Sequence, residues 1–239
     1  MIQFYSPDIE TTLSLPPEES LHCSRVLRKK EGDIIFVTDG KGNRFECEIT
    51  KADPRKTILR TLSVIKEKNH WPGRITLAVA PTKNIDRMSW LVEKAVEIGV
   101  DEIAFIDCVR NERHKLSVDR LKRVAVSAMK QSLKSTLPDI NEMVSLKDFL
   151  KNNTGKNGFF GYCDDKTERR NFSTAYTPGT DAIILIGPEG DFSPQEVSLL
   201  KETGFIPVTF GESRLRTETA ALYGVNAVHV LNSLDSGLN

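Results

Sequence analysis

The chain has 239 residues, of which 33 are Lys or Arg and 33 are Asp or Glu, and 39% of its residues are hydrophobic. This composition is typical of a soluble globular protein and excludes a disordered acidic or basic tail. No apolar run reaches the roughly 18 residues that a membrane span requires, and residues 1–10 lack the basic and apolar regions of an export signal.

The cysteine pattern agrees with a cytoplasmic location. Four cysteines lie far apart, with no CxxC pair and no histidine at the spacing of a metal ligand. We therefore expect reduced thiols, a cytoplasmic protein, no membrane contact and no metal site. The zero net charge argues against nucleic-acid binding only if the charge is evenly spread along the chain.

Residues 1–72 are predicted to form short strands and turns. Runs rich in β-branched residues at 33–38, 44–50 and 57–65 surround a Gly-rich turn at 39–43, and such runs predict a small β-barrel or sheet. The polar stretch at 66–73 contains Pro72 and resembles a linker. We therefore place a domain boundary near residue 72.

Beyond this boundary, strands and helices alternate. Helical spacing of apolar residues predicts a helix from Asp86 to Gly99, another after Ser117 with an apolar stripe reaching Leu133, and a short one from Ser145. Further helices follow the last two strands. Apolar strands are predicted at 75–80, 100–106, 158–162, 181–186 and 207–210. The pattern predicts an α/β domain at 73–239 with a mostly parallel sheet covered on both faces.

The loop IGPEGDFSPQE, at 186–196, follows one of these strands. Ser193 and Glu196 are spaced as a capping box, and two glycines would let the backbone approach a ligand closely. Glu189 and Asp191 place negative charge where a phosphate would otherwise bind the helix end. The loop thus suits a cationic or hydroxyl-rich ligand, although a well-capped strand-to-helix turn explains it equally well.

The loop FGESRLRTETAA, at 210–221, follows the last strand. It carries arginines, glutamates and threonines, and Gly224 lies in an apolar helix beyond it, where small residues would permit close backbone packing. An exposed charged loop before a core helix explains this pattern, and so does a site that holds a ribose or phosphate and polarises a base. Ligands of open α/β sheets bind at the carboxyl ends of strands, which makes both loops candidates.

Two segments are strongly basic. Residues 21–30 contain four basic residues and no acidic one, and residues 110–134 contain eight basic residues against two acidic ones. A solvated helix face and a footprint for a phosphate backbone explain these runs about equally well.

Four motifs together resemble one family. LIGPEGDFSPQE and FGESRLRTETAAL resemble the C-terminal motifs of the RsmE family, which are roughly GPEGG-[FL]-[ST] and LG-x-x-[IV]-LR-x-ETA. HCSRVLRKKEGD resembles its H-x-x-RVLR element, and KNIDRMSWLVEKAVEIGVDEI with NERHKL resembles two internal segments. The four motifs occur in the family's order over nearly the whole chain, which makes the resemblance specific.

The resemblance implies a SPOUT-class enzyme that uses S-adenosylmethionine to methylate N3 of a uridine in 16S ribosomal RNA. It implies a PUA-like RNA-binding β-barrel at 1–72 and, at 73–239, a methyltransferase domain of the SPOUT α/β type with a C-terminal trefoil knot. It also implies a homodimer that acts on the small ribosomal subunit.

The resemblance and the chemistry of methyl transfer assign roles to individual residues. Arg216 would stabilise the negative charge that develops on the uracil ring, and Glu218 would position groups or accept the N3 proton. The residues expected at the cofactor are Ile186, Gly187, Pro188, Glu189, Gly190, Phe210, Gly211, Ser213, Leu215 and Thr219. Those expected at RNA are His22, Arg25, Arg28, Lys29, Arg113 and Gln131.

The chain departs from the family pattern at a few positions. Asp191 stands where a second glycine is usual, Ser213 where a basic residue is frequent, and Lys130 and Lys134 where glutamate and arginine are frequent. Two alternatives stay open: a SPOUT enzyme that methylates a ribose 2′-oxygen, and a non-catalytic RNA-binding protein of ribosome assembly.

Overall fold

The computed structural model describes residues 2–67, 71–163 and 168–235. They form two compact units, one made of 2–67 and 125–137, the other of 71–124, 138–163 and 168–235. Residues 68–70 of the predicted linker lie outside the described residues, and the boundary near residue 72 stays a prediction. None of the described helices is long and apolar enough to cross a membrane.

The first unit contains a four-stranded sheet in the order β1-β2-β3-β4, in which β1 is parallel to β2 and the other pairs are antiparallel. The strands predicted from the sequence are β2 to β4, whereas β1 and the N-terminal helical turns are too short to give a periodic signal. The elements are β1 (Gln3–Tyr5), α1 (Ile9–Thr12), α2 (Pro17–Leu21), a π-helical turn (His22–Val26), β2 (Ile34–Thr38), β3 (Asn43–Lys51) and β4 (Ile58–Lys66).

Alternating side chains of β2 and β3 form the core of this unit. Phe45, Cys47 and Ile49 on β3 are buried together with Ile35 and Val37 on β2, because every second side chain of a strand points to the same face.

The second unit contains an eight-stranded sheet in which every described pair is parallel. The strand order is β10-β12-β9-β11-β5-β6-β7, and β8 pairs with β6. The elements that follow β4 along the chain are β5 (Ile75–Val79), α3 (Ile85–Ile98), β6 (Glu102–Asp107), α4 (Val118–Gln131), β7 (Asp139–Ile140), β8 (Val144–Ser145), α5 (Leu146–Asn153), β9 (Gly158–Gly161), β10 (Arg170–Asn171), α6 (Phe172–Ala175), β11 (Ala182–Ile186), α7 (Pro194–Glu202), β12 (Ile206–Thr209) and α8 (Thr217–Asp235). Residues 125–131 of α4 belong to the first unit.

The predicted α/β architecture is confirmed. All five predicted strands are present as β5, β6, β9, β11 and β12. Ile183 and Leu185 on β11 belong to a core cluster shared with α5 and α7, whereas Ile184 between them lies against Gly224 of α8. Helices therefore cover both faces of the sheet, as strands that are apolar on both faces require.

Two of the predicted helix starts are confirmed. Ser145 caps α5, and Ser193 with Glu196 forms the predicted capping box of α7, whereas Asn84, which caps α3, was not singled out from the sequence. The stripe that was predicted to reach Leu133 was too long. Helix α4 ends at Gln131, and Leu133 has a left-handed backbone with φ 56° beyond it.

Helix α8 is fixed at both of its ends. Near its C-terminus, the buried side chain of Asn232 accepts hydrogen bonds from the Tyr176 hydroxyl at 3.0 Å and the Gly179 amide at 2.8 Å. At its N-terminus, the Thr217 hydroxyl lies 3.4 Å from the Gly187 carbonyl, to which it donates. The first residue of α8, which ends the loop after β12, is therefore bonded to the loop after β11.

Candidate active site

A large cavity lies at the carboxyl ends of β9, β11 and β12. Its volume is about 1260 Å³, which exceeds the roughly 300–1000 Å³ typical of small-molecule sites. Its lining comes from the segments that follow these three strands, together with Arg87 of α3 and Arg110 after β6. This is where the strand ends of an open parallel sheet place a ligand.

The loop after β11 is held rigidly. Its end is fixed by the capping box, because Glu196 is buried and accepts hydrogen bonds from the Ser193 amide and, at 2.8 Å, from the Val109 amide. Arg110 donates from Nη1 to the carbonyl oxygen of Gly190 at 2.8 Å. These bonds join the loop after β11 to the segment after β6 and so define this part of the cavity wall.

The glycines of this loop serve packing. A Cβ on Gly187 would lie 2.9 Å from the ring of Phe192, so the missing side chain makes room for that buried ring. Gly190 lies against Arg110, and a Cβ there would make an ordinary contact at 3.4 Å. The close approach of the backbone to a ligand, expected from the sequence, stays a prediction, and the structure adds close approach to neighbouring side chains.

The loop after β12 presents its polar residues to the cavity. Phe210 anchors it against Phe172 and Tyr223, with ring centroids 5.5 and 5.6 Å apart. From Gly211 to Arg214 the residues are exposed. Beyond them, Arg216 is exposed and lines the cavity, and its guanidinium makes no ion pair or hydrogen bond with the described residues.

Glu218 lies behind the cavity wall. It is buried, with Oε1 3.7 Å from Nε of Arg87, and Oε2 has no hydrogen-bond partner among the described residues. Nη1 of Arg87 lies 3.7 Å from Oε1 of Glu189. One guanidinium therefore links a buried carboxylate to a carboxylate of the cavity wall.

The charge of the cavity is mixed. Among the described residues, three carboxylates line it, Glu189, Asp191 and Glu212, as the loop sequences predict. Five arginines of the described residues line it as well: Arg87, Arg110, Arg169, Arg214 and Arg216. The first three were missed from the sequence, because they belong to segments that only the sheet brings to this place. A ligand that carries both cationic and anionic groups fits this lining.

Asp191 lines the cavity with a carboxyl whose pKa is raised. Burial raises the pKa of its carboxyl above the usual value, while the amides of Phe192 and Cys163 and the charges of Arg110 and Arg214 act in the opposite direction.

Most of the predicted cofactor residues line one cavity. They are Ile186, Gly187, Pro188, Glu189, Phe210, Gly211, Ser213 and Leu215. Gly190 and Thr219 are not among the lining residues, and both are exposed to solvent.

The predicted RNA residues fall into two groups. In the first unit, the π-helical turn carries half-buried His22 and exposed Arg25, and exposed Arg28 follows with a left-handed φ of 54°. Lys29 is half-buried and Gln131, in the same unit, is exposed. Backbone strain and π-helical turns are frequent at functional sites.

Arg113 differs from these residues. Its guanidinium donates to the carbonyl oxygens of Thr82, at 3.3 Å, and Lys83, at 2.6 Å, and so ties the segment after β5 to the segment after β6. Lys130, one of the departures from the family pattern, forms an ion pair with Glu19. Among the described residues there is no group of three side chains that could hold a metal ion.

Comparisons with known proteins agree on one family. The model described as an RNA methyltransferase domain matches residues 69–229, and the model described as an RNA methyltransferase PUA domain matches residues 15–62. The chain is 24% identical to Ribosomal RNA small subunit methyltransferase E of Bacillus subtilis, over 95% of this chain and 93% of that protein. It is 28% identical to the protein of that name from Rickettsia conorii, over 92% and 91% of the two chains.

Solved structures give the same result. A probable rRNA-methyltransferase from Porphyromonas gingivalis is 41% identical and superposes with a TM-score of 0.93, over 98% of this chain and 100% of that one. Ribosomal RNA small subunit methyltransferase E from Neisseria gonorrhoeae, solved with bound S-adenosyl methionine, is 26% identical, with a TM-score of 0.85 over 97% and 98% of the chains.

Proposed function

Since the chain belongs to the RNA methyltransferase family, whose model spans residues 69–229, we propose that it transfers a methyl group from S-adenosylmethionine to N3 of a uridine in 16S ribosomal RNA. The single observation that carries this proposal is the cavity that both family loops line together. The resemblance to the RsmE family, the SPOUT-type fold and the N-terminal PUA domain are confirmed.

The cavity fits S-adenosylmethionine. The cofactor carries a sulfonium and an ammonium cation as well as a carboxylate, and the lining offers three carboxylates and five arginines. Its adenosine would lie against the backbone of the loops after β11 and β12, where Ile186, Gly187, Phe210 and Leu215 line the wall. When bound, S-adenosylmethionine supplies an electrophilic methyl group.

The remaining chemistry belongs to the chain. N3 of uridine must lose its proton, and negative charge then develops on the uracil oxygens. Arg216 lines the cavity with a guanidinium that makes no bond to the described residues, so it is available to stabilise this charge. Glu218 positions Arg87 from behind the wall at 3.7 Å, and it would reach the N3 proton only through an intervening group or water.

The RNA and the quaternary structure complete the proposal. The residues to which we assign RNA contacts are His22, Arg25, Arg28, Lys29, Gln131 and Arg113. The guanidinium of Arg113 would contact RNA while it also donates to two backbone carbonyls. The substrate would be the small ribosomal subunit, which places the enzyme in the cytoplasm. The active form would be a homodimer, supported by exposed apolar side chains on α3 and α8.

Mapping of modified nucleosides tests the reaction. Mass spectrometry of 16S RNA from cells with and without the gene should show one N3-methyluridine that disappears on deletion and returns with the wild-type gene, but not with Arg216→Ala. Loss of a ribose 2′-O-methyl group would instead support the other SPOUT chemistry. Calorimetry with S-adenosylmethionine distinguishes the proposed enzyme from a non-catalytic RNA-binding protein, because the latter predicts no heat of binding.

A further inference from the structure

Asp191 links two walls of the cavity. Its Oδ2 accepts a hydrogen bond from the amide of Cys163 at 3.1 Å, and its Oδ1 accepts one from the amide of Phe192 at 2.9 Å. Cys163 follows β9 and Asp191 follows β11, and these two strands are parallel neighbours in the sheet. Cys163, Phe192 and Asp191 itself all line the cavity.

We propose that Asp191 is a positioning residue that ties Cys163, two residues beyond β9, to the loop after β11 and so fixes the wall of the cofactor site at this point. The inference rests on the proposed function, because it places S-adenosylmethionine in the cavity. The RsmE motif quoted above has glycine at this position, and a glycine has no side chain with which to form the tie.

The placement of Asp191 carries a modest cost. Its φ is 62°, in the left-handed region where glycine is favoured and Asp is tolerated better than most other residues. Burial of its carboxyl disfavours the charged form, which raises its pKa. A glycine would avoid the burial of a carboxyl, and residues in this backbone region are found at functional sites.

The surroundings favour an anchoring carboxylate over a proton acceptor. Both oxygens already accept backbone N–H groups, and the charges of Arg110 and Arg214 stabilise the anion. Arg110 holds the same loop through the carbonyl of Gly190. The loop is therefore fixed on one side by Arg110 and on the other by Asp191.

Hydrogen exchange of the Cys163 amide reads the tie directly, because this amide donates to Oδ2 of Asp191. In the absence of cofactor, Asp191→Gly should raise the exchange rate of this amide, followed by NMR, by about tenfold, the scale of a lost charge-assisted hydrogen bond. Asp191→Asn keeps one acceptor and tolerates a positive φ, so it should restore a rate nearer to that of the wild type.

Steady-state kinetics separate positioning from chemistry. Asp191→Gly should raise KM for S-adenosylmethionine by about tenfold and change kcat at saturating cofactor by less than about threefold, with partial rescue in Asp191→Asn. The matched control is Asp181→Gly, which removes a carboxylate that accepts from the Arg74 amide at 2.7 Å just before β11, at its other end. This control should change neither the exchange rate of the Cys163 amide nor KM.

The outcomes are distinct. Unchanged exchange of the Cys163 amide in Asp191→Gly would overturn the tie, and so would a loss confined to kcat, because that result would make Asp191 part of the chemistry. Failure of the wild-type protein to bind S-adenosylmethionine would overturn the proposed function, while the exchange measurement, made without cofactor, would still decide on the tie.

Discussion

At the scale of single residues, the five cavity arginines differ in what holds them. Arg87 lies near two carboxylates, Arg110 is bonded to the loop after β11, and Arg169 donates to the Tyr162 carbonyl at 2.9 Å. Arg214 and Arg216 make no hydrogen bond or ion pair within the described part of the chain. The charge of Arg214 acts on Asp191, which leaves Arg216 as the cavity arginine best placed to meet negative charge that develops during the reaction.

Arg216→Ala should reduce methyl transfer far more than cofactor binding. Removal of a group that stabilises developing charge costs about 100- to 1000-fold in kcat, whereas the dissociation constant of S-adenosylmethionine should change by less than about threefold. Single-turnover methylation and calorimetry measure the two quantities. Arg216→Lys, which keeps the charge, is the matched variant and should retain part of the rate. A wild-type single-turnover rate in Arg216→Ala would refute the assignment.

Glu218→Gln tests whether the buried carboxylate acts through Arg87. The substitution keeps the shape and removes the charge that lies 3.7 Å from Nε of Arg87. We expect about a tenfold loss of kcat/KM with an unchanged pH–rate profile, because the positioning of a cation is weakened and no proton acceptor is lost. Arg87→Lys should give a similar loss. A loss above about a thousandfold, with an altered acid limb of the profile, would instead make Glu218 the proton acceptor.

At the scale of elements, the sequence predicts long strands and helices well and the tertiary contacts between them poorly. The strands around Ile75–Val79 and Ala182–Ile186 and the capped helix α7 follow from local patterns. The two-residue strands β7, β8 and β10 carry no periodic signal. The approach of Arg87 and Arg110 to the cavity depends on sheet order, which periodicity does not contain. For the same reason, the motif resemblance found the two loops but not the partners that hold them.

Gly224→Ala should disturb the packing of α8 on the sheet. A helical glycine replaced by alanine normally gains up to about 1 kcal/mol. Here a Cβ would lie 2.6 Å from Cγ2 of Ile184 and 3.1 Å from the ring of Phe210. We therefore expect a loss of about 1–3 kcal/mol in the free energy of unfolding, measured by urea denaturation, and weaker S-adenosylmethionine binding because Phe210 lines the cavity.

The same helix offers a matched control for this prediction. Asn226 is exposed on α8, so Asn226→Ala changes helix propensity without touching the sheet and should be neutral or slightly stabilising. Equal or greater stability of Gly224→Ala would show that α8 can move away from β11 without cost.

At the scale of the whole molecule, α8 carries an apolar stripe that the described fold leaves uncovered. Tyr223, Val230 and Leu234 are 50%, 46% and 73% exposed, and their spacing places them on one helix face. Trp90, on α3, is 45% exposed. In the proposed homodimer, a second copy of the chain would cover this apolar stripe.

Val230→Asp should therefore shift the protein from dimer to monomer. A charge in the centre of an apolar interface would remain unpaired after association, which costs several kcal/mol of binding free energy. Sedimentation velocity at micromolar concentration measures the change. Ser233→Asp, also exposed on α8, is the control for added charge, and it should leave the dimer intact. A wild-type protein that sediments as a monomer would contradict the proposal.

The charge of the whole chain sums to zero, so non-specific RNA binding should be weak and the local basic segments should decide affinity. Arg25 and Arg28 are exposed on the segment of the π-helical turn, and exchange of both for alanine should remove two phosphate contacts. The slope of log affinity against log salt should then fall by about 1.5–2. Filter binding to small-subunit RNA between low and physiological salt measures that slope. The control variant, Arg55→Ala with Lys56→Ala, removes two exposed charges outside the basic segments and should leave the slope unchanged. Equal slopes in the wild type, this control and the Arg25 and Arg28 variant would show that Arg25 and Arg28 do not contact RNA.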